Sequence, residues 1–257
     1  MALDATSGPA LPQSHAASTA GVEFVDLGAM PYAEALAIQR RALEQAIAAR
    51  DAGGWPGRIF LVEHAPPVIT VTRRPAAAQH LLAAPERLAA LGIEVQETDR
   101  GGDVTYHGPG QLVVYPILDL NALGLRIHGY MRFLEEVVLR VLARHGLEGW
   151  RDPTATGVWV GGSVDGEGHR SGGGKICALG VRVSRWTSMH GLALNVDPAP
   201  DHFSVIVPCG LHGRAVTSMR QELGPRTPDM ASVKETMRQE FLALIANATA
   251  SPSTPES

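Results

Sequence analysis

Cysteine is scarce, with only Cys177 and Cys209 in 257 residues. That excludes a disulfide-framed secreted module and a cysteine-rich zinc domain. Aromatic residues make up only 5% of the chain, so an aliphatic core is expected. No apolar run reaches the ~18 residues of a membrane span. Basic excess is also missing, because 22 Lys and Arg face 26 Asp and Glu, for a net charge of −4. Bulk charge therefore gives no reason to expect nucleic acid as a partner. Residues 1–20 lack the charged start and apolar stretch of a signal peptide and the arginines of a transit peptide. They read as a disordered leader, residues 247–257 as a disordered tail, and the chain as cytoplasmic.

What is abundant is glycine (28) and proline (18), the residues of tight turns. Strands are expected at 22–27, 58–63, 68–72, 93–98, 112–118, 157–160, 176–183 and 192–196. Apolar residues at helical spacing predict helices at 32–50 (Tyr32, Leu36, Leu43, Ile47), 128–145 (Met131, Leu134, Val138, Val141, Leu142) and 231–246 (Val233, Met237, Phe241, Leu244), with a shorter one at 85–91. Strands and helices alternate without strict βαβ order. The expected class is α/β or α+β, one domain over residues 21–246, with a mixed, largely antiparallel sheet flanked by helices. Residues 161–174 (GGSVDGEGHRSGGG) read as a long mobile hairpin loop.

Two apparent nucleotide motifs fail. Gly174-Lys175 resembles a P-loop ending, but His169 stands where that loop needs glycine and Ile176 where it needs Ser or Thr. Gly166-x-Gly168 is followed by Ser171 at the third glycine position of a dinucleotide fingerprint. No pair at zinc spacing stands out among the ten histidines, so no metal is assigned.

Three segments hold more polar residues and glycines than packing requires. RGGDVTYHGPGQ (100–111) reads as a binding loop. In GKICALGVR (174–182), Lys175 heads an apolar strand. Taken alone, the segment favours a lysine stem covering the sheet end with its ammonium in water, and a catalytic amine is the alternative. Cys177 is expected to share Lys175's face of the strand and to be an inert small hydrophobe. In VPCGLHGRAVTSM (207–219), Cys209 stands between Pro208 and Gly210, outside any periodic apolar run. Such a thiol can be exposed and activated by a neighbouring cation, either a lysine or His212.

Taken together, RGGDVTYHGPGQLVVYPILDL, GKICALGVRV, SMHGLALNV and IVPCGL with VTSM resemble, in order, the octanoyl-acyl-carrier-protein:protein octanoyltransferases of lipoate biosynthesis. The resemblance implies a fold shared with lipoate and biotin protein ligases and a catalytic pair of Cys209 and Lys175. It also implies substrate-binding positions at Arg100, Gly101, Gly102, Asp103, Val104, Thr105, Tyr106 and His107, at Ala178, Leu179 and Gly180, and at Gly191, Leu192 and Ala193. The implied donor is octanoyl-acyl carrier protein. The implied acceptors are lipoyl domains of 2-oxoacid dehydrogenase E2 subunits and the glycine cleavage H protein. No cofactor is implied beyond the donor's phosphopantetheine, because a thioester is already activated. The small residues of the second and third groups would either leave room for an acyl slot or serve close packing. Arg73, Arg74, Arg100, Arg182, Arg185, Arg214 and Arg220 are expected to form a basic rim for acidic partners. The competing readings are an ATP-dependent ligase on the same fold, a non-catalytic acyl-binding module and a metal-dependent hydrolase.

Overall fold

The computed structural model describes residues 21–51, 57–75, 77–168, 170–206 and 214–250. Strand β1 (Val22–Met30) leads into helix α1 (Tyr32–Asp51), then β2 (Gly57–His64), β3 (Val68–Thr72), α2 (Pro85–Ala90), β4 (Glu94–Thr98), β5 (Val104–His107) and β6 (Gln111–Ile117). Helix α3 (Ile127–Arg144), β7 (Gly149–Asp152), β8 (Ala155–Val160), β9 (Ser163–Val164), β10 (Arg170–Ser171), β11 (Gly174–Ser184) and β12 (Thr187–Asn195) follow. The chain closes with β13 (Ala215–Val216), α4 (Met219–Leu223) and α5 (Met230–Ala250).

The main sheet runs β1-β2-β6-β12-β11-β8-β7, with β13 beside β11. Among the described residues its parallel pairs are β1·β2, at one edge, and the short β11·β13, and the others are antiparallel, so the expected mixed, largely antiparallel sheet is what the chain forms. Every residue of β6 is buried, as a central strand covered on both faces requires. Helices α3 and α5 cover one face with Leu134, Val138, Val141, Met237 and Phe241. Helix α1 covers the other, through Tyr32, Ala35, Leu36 and Leu43 against Phe60, Val113 and Tyr115. A second sheet, β4-β3-β5, packs with α2 around a smaller core of Ile69, Leu88, Val104 and Tyr106.

Four local expectations change. Residues 104–107, expected to be loop, pair with β3 as β5. The fourth core residue of α5 is Ile245, and Leu244 is half-buried beside it. That helix also continues through Asn247 to Ala250, the start of the segment read as a tail. There Thr249 Oγ1 donates to the Ile245 carbonyl at 3.0 Å. Finally, within the 161–174 segment, read as a hairpin loop, a short antiparallel ladder pairs Ser163 with Ser171 and Val164 with Arg170.

One irregularity positions the site. Gly174 and Lys175 pair with Val160 and Trp159, and Cys177 pairs with Val158, which leaves Ile176 as an extra residue on β11. Such a bulge interrupts the period of two. Ile176 and Cys177 both enter the α3–α5 core. Lys175 and Ala178 together line a cavity. The expectation that Cys177 shares Lys175's face is therefore corrected.

Candidate active site

Lys175 is only 6% exposed. That rules out the reading in which its ammonium reaches bulk water. Its Nζ lies 5.6 Å from the centroid of the Trp159 ring, and Arg214 stacks on the same indole at 4.1 Å. Arg214 is in turn ion-paired with Asp152, which Thr154 holds through its N–H (2.7 Å) and hydroxyl (2.6 Å). The lysine stem packs over Gly157. A Cβ there would sit 2.3 Å from Lys175 Cε and 2.7 Å from the Cys177 carbonyl, at a φ of +132° that other residues rarely adopt. Buried Glu135 of α3 fixes this glycine by accepting its N–H at 3.2 Å, and is itself paired with Arg132 and Arg151.

Cavities that share residues meet at this lysine. One, of about 400 Å³ counting its mouth, lies between the sheet and α1 and is mostly apolar. Strand β11 contributes Ala178, Leu179 and Gly180, and β12 contributes Gly191, Leu192 and Ala193. Arg100, from the connection between β4 and β5, and Thr105 and His107 of β5 close it from the other side. A smaller chamber with Thr105 and Ala178 joins it to Lys175. On the other side, Lys175 opens on a groove of about 880 Å³ that also takes in Gly101, Gly102 and Asp103.

A hydrogen-bond chain ties the apolar cavity to the lysine. His107 Nδ1 donates to Gln111 Oε1 (2.8 Å), Gln111 Nε2 to Asn195 Oδ1 (2.9 Å), and Asn195 Nδ2 to the Thr217 carbonyl (2.9 Å). The Thr217 N–H returns to the Lys175 carbonyl at 3.1 Å. The imidazoles around the cavity are held neutral. Burial takes His107 well below its usual range and His64 down to about 4. Burial also lowers His190, although Asp99 accepts its Nε2–H at 2.8 Å and opposes the shift.

A family model described as the lipoyl protein ligase A/B catalytic domain matches residues 31–242. This chain belongs to that family. Among its relatives, an octanoyltransferase of Bacteroides fragilis is 44% identical over 84% of this chain and 94% of its own length. One from Rubrobacter xylanophilus is 45% identical over 86% and 91%, and one from Chloroflexus aurantiacus is 48% identical over 81% and 87%. The fold matches a putative lipoate protein ligase from T. acidophilum, with a TM-score of 0.63 at 14% identity over 87% and 85% of the two chains. It likewise matches a lipoate-protein ligase A bound with ATP, at 0.62 and 15% over 88% and 85%.

Most of the residues that the family resemblance implied converge here. Nine line the apolar cavity, and Gly101, Gly102 and Asp103 line the groove. Two do not converge. Val104 and Tyr106 point into the small core behind β5, where the Tyr106 hydroxyl meets His202 Nδ1 at 2.7 Å. Alternation along a strand forces this, because Thr105 and His107 take the opposite face. Cys209 and His212 lie outside the described residues. Of the described residues on either side, Ile206 lines the Lys175 chamber and Arg214 stacks on the Trp159 ring.

The choice between an acyl slot and close packing divides by residue. Ala178 and Ala193 bound open space. A Cβ on Gly180 would meet the Gly101 carbonyl at 2.8 Å, and one on Gly191 the Val114 carbonyl at 2.2 Å, so these two glycines admit backbone. Residues that the sequence did not single out complete the wall. Tyr32, Val113, Tyr115 and His190 all face the cavity. Tyr115 was hidden in a uniformly apolar strand. The signal for His190 was a polar residue directly before Gly191 in a quoted segment, and its φ of 59° marks a backbone under strain.

The expected basic rim is partly neutralised. Arg73 pairs with Glu97, Arg74 with Asp103, Arg182 with Asp99 at 2.5 Å, and Arg220 with Asp197. Arg100 turns inward, donating to the Thr70 carbonyl at 3.0 Å and the Gly101 carbonyl at 2.8 Å.

Proposed function

We propose that this chain, an acyltransferase of the octanoyltransferase kind, moves an octanoyl group from acyl carrier protein to a lysine of a lipoyl domain through a thioester on Cys209. The observation that carries this reading is a buried lysine placed where a mostly apolar cavity, lined by small residues of β11 and β12, meets an open groove. Buried lysines are rare without a partner or a task.

In the first half-reaction the Cys209 thiolate attacks the thioester carbonyl. The bond from that carbon to the pantetheine sulfur breaks, and Lys175, as ammonium, protonates the departing thiolate. In the second, the acceptor amine attacks the acyl-Cys209 carbonyl. Neutral Lys175 takes its proton, and the Cys209 thiolate leaves. The acyl chain lies between β11, β12 and α1. Burying its seven carbons beyond the carbonyl at ~0.8 kcal/mol each supplies several kcal/mol of binding. The donor brings its own phosphopantetheine, and the enzyme adds no cofactor. Cys209 must stay reduced, which suits a cytoplasmic location.

The test is transfer of octanoate from octanoyl-carrier protein to a lipoyl domain without ATP. Octanoylation without ATP is expected. A strict need for ATP and free octanoate would replace this reading with a ligase.

A further inference from the structure

A thioester donor has two arms, and the apolar cavity accounts for one. The other is pantetheine, an extended chain with two amides that ends in a phosphate. Between β8 and β11 the main sheet splits. Among the described residues the two strands pair as far as Val158 and Cys177. Beyond that pair, Ala155 and Thr156 diverge from Leu179–Val181, and the gap is the groove that opens on Lys175. Its lining is more polar than the apolar cavity's, with Thr154 and Thr156 exposed along one wall. The β11 wall presents backbone sideways, and the Gly101 N–H already uses the Val181 carbonyl in this way at 3.0 Å. Arg74, 65% exposed, lines the same groove and touches Asp103 at only 3.4 Å.

We propose that this split in the sheet is the channel for the donor's pantetheine arm, with its amides against the diverging strand edges and its phosphate toward Arg74. The proposal rests on the function given above and names where that donor lies. Extended backbone edges recognise an amide chain as they recognise an added strand. An octanoyl chain in this open, polar groove would stay wet and lose most of its burial energy. A lysine acceptor is a bare methylene stem that offers the edges no amides.

The experiment compares two donors on Thr156→Trp, a substitution at an exposed position in the groove and outside the acyl cavity. Octanoyl-carrier protein carries the whole arm, whereas octanoyl-N-acetylcysteamine carries only its thiol end. Acyl-enzyme formation is followed by quenched intact mass, and discharge of preformed acyl-enzyme to a lipoyl domain is timed separately. The expected result is a loss of about tenfold or more in kcat/KM with the carrier donor, and about twofold or less with the short donor and in discharge. Equal losses with both donors, or no loss, would overturn the channel. A loss confined to discharge would overturn it in favour of the acceptor. As a second probe, Arg74→Glu should slow octanoyl-phosphopantetheine but not octanoyl-pantetheine, and equal rates would contradict the placement of the phosphate. Wild-type protein that forms no acyl-enzyme from either donor would instead remove the function on which the proposal rests.

Discussion

Ile176 and Cys177 enter the α3–α5 core, where both are fully buried, while Lys175 and Ala178 on either side of them face open cavities. The same short stretch of β11 thus serves packing on one side and an accessible site on the other. The chemistry of the two sides differs accordingly. Burial pushes the Cys177 thiol up to about 12, so it stays protonated and inert. Lys175 is held by an indole, a glycine that leaves room for its stem and a backbone bond to Thr217. A single bulge separates the inert residue from the functional one, and substitutions on each side should have unequal costs.

The largest effect is expected for Lys175→Ala. Loss of a positioned acid–base group should lower kcat by about 10²–10⁴-fold with the fold intact. A loss below about tenfold would remove Lys175 from the chemistry. Next comes Gly157→Ala. The added methyl cannot coexist with Lys175 Cε or the Cys177 carbonyl, and its φ is unfavourable. Stability should fall by about 2–4 kcal/mol in a denaturant titration, and activity should fall with it. An unchanged midpoint would show that the lysine stem is not confined as described.

The α1 side also predicts a pH effect. His64 titrates near 4 in the fold and near 6.5 when unfolded. The folded state favours its neutral form, so this stabilisation is complete above about pH 6.5 and is lost as pH falls toward 4. The change is roughly 3 kcal/mol from this residue. His64→Gln should flatten that slope, and a slope unchanged by the substitution would contradict the assignment. The smallest effect concerns salt. With Arg73, Arg182 and Arg220 already paired with carboxylates, kcat/KM for the carrier donor should fall by about threefold or less between about 0.05 and 0.3 M salt. A steep fall would show a cationic docking surface after all.

Much of this was legible in the sequence because it is local. Apolar spacing gave α1, α3 and most of α5, and the continuous apolar run gave β6. The glycine-rich and Lys175 segments stood out by composition, and they meet where the Gly101 N–H bonds the Val181 carbonyl of β11. What stayed hidden depends on pairing. That Val104 and Tyr106 face away from the site follows only once β5 is seen to pair with β3. The bulge at Ile176 is a register shift against β8 that no property of β11 alone reveals. The arginines that flank the site were legible as charges, but the acidic partners that neutralise them come from distant segments. His190 needed its backbone strain, and its contact with Asp99, to be recognised as part of the wall.

The central claim is that the acyl group rests on Cys209 and not on the packed Cys177. Intact mass after incubation with octanoyl-carrier protein tests it most directly. The account predicts one octanoyl adduct on the wild type and on Cys177→Ala, and none on Cys209→Ala. An adduct that survives Cys209→Ala, or one that disappears with Cys177→Ala in a folded protein, would contradict it.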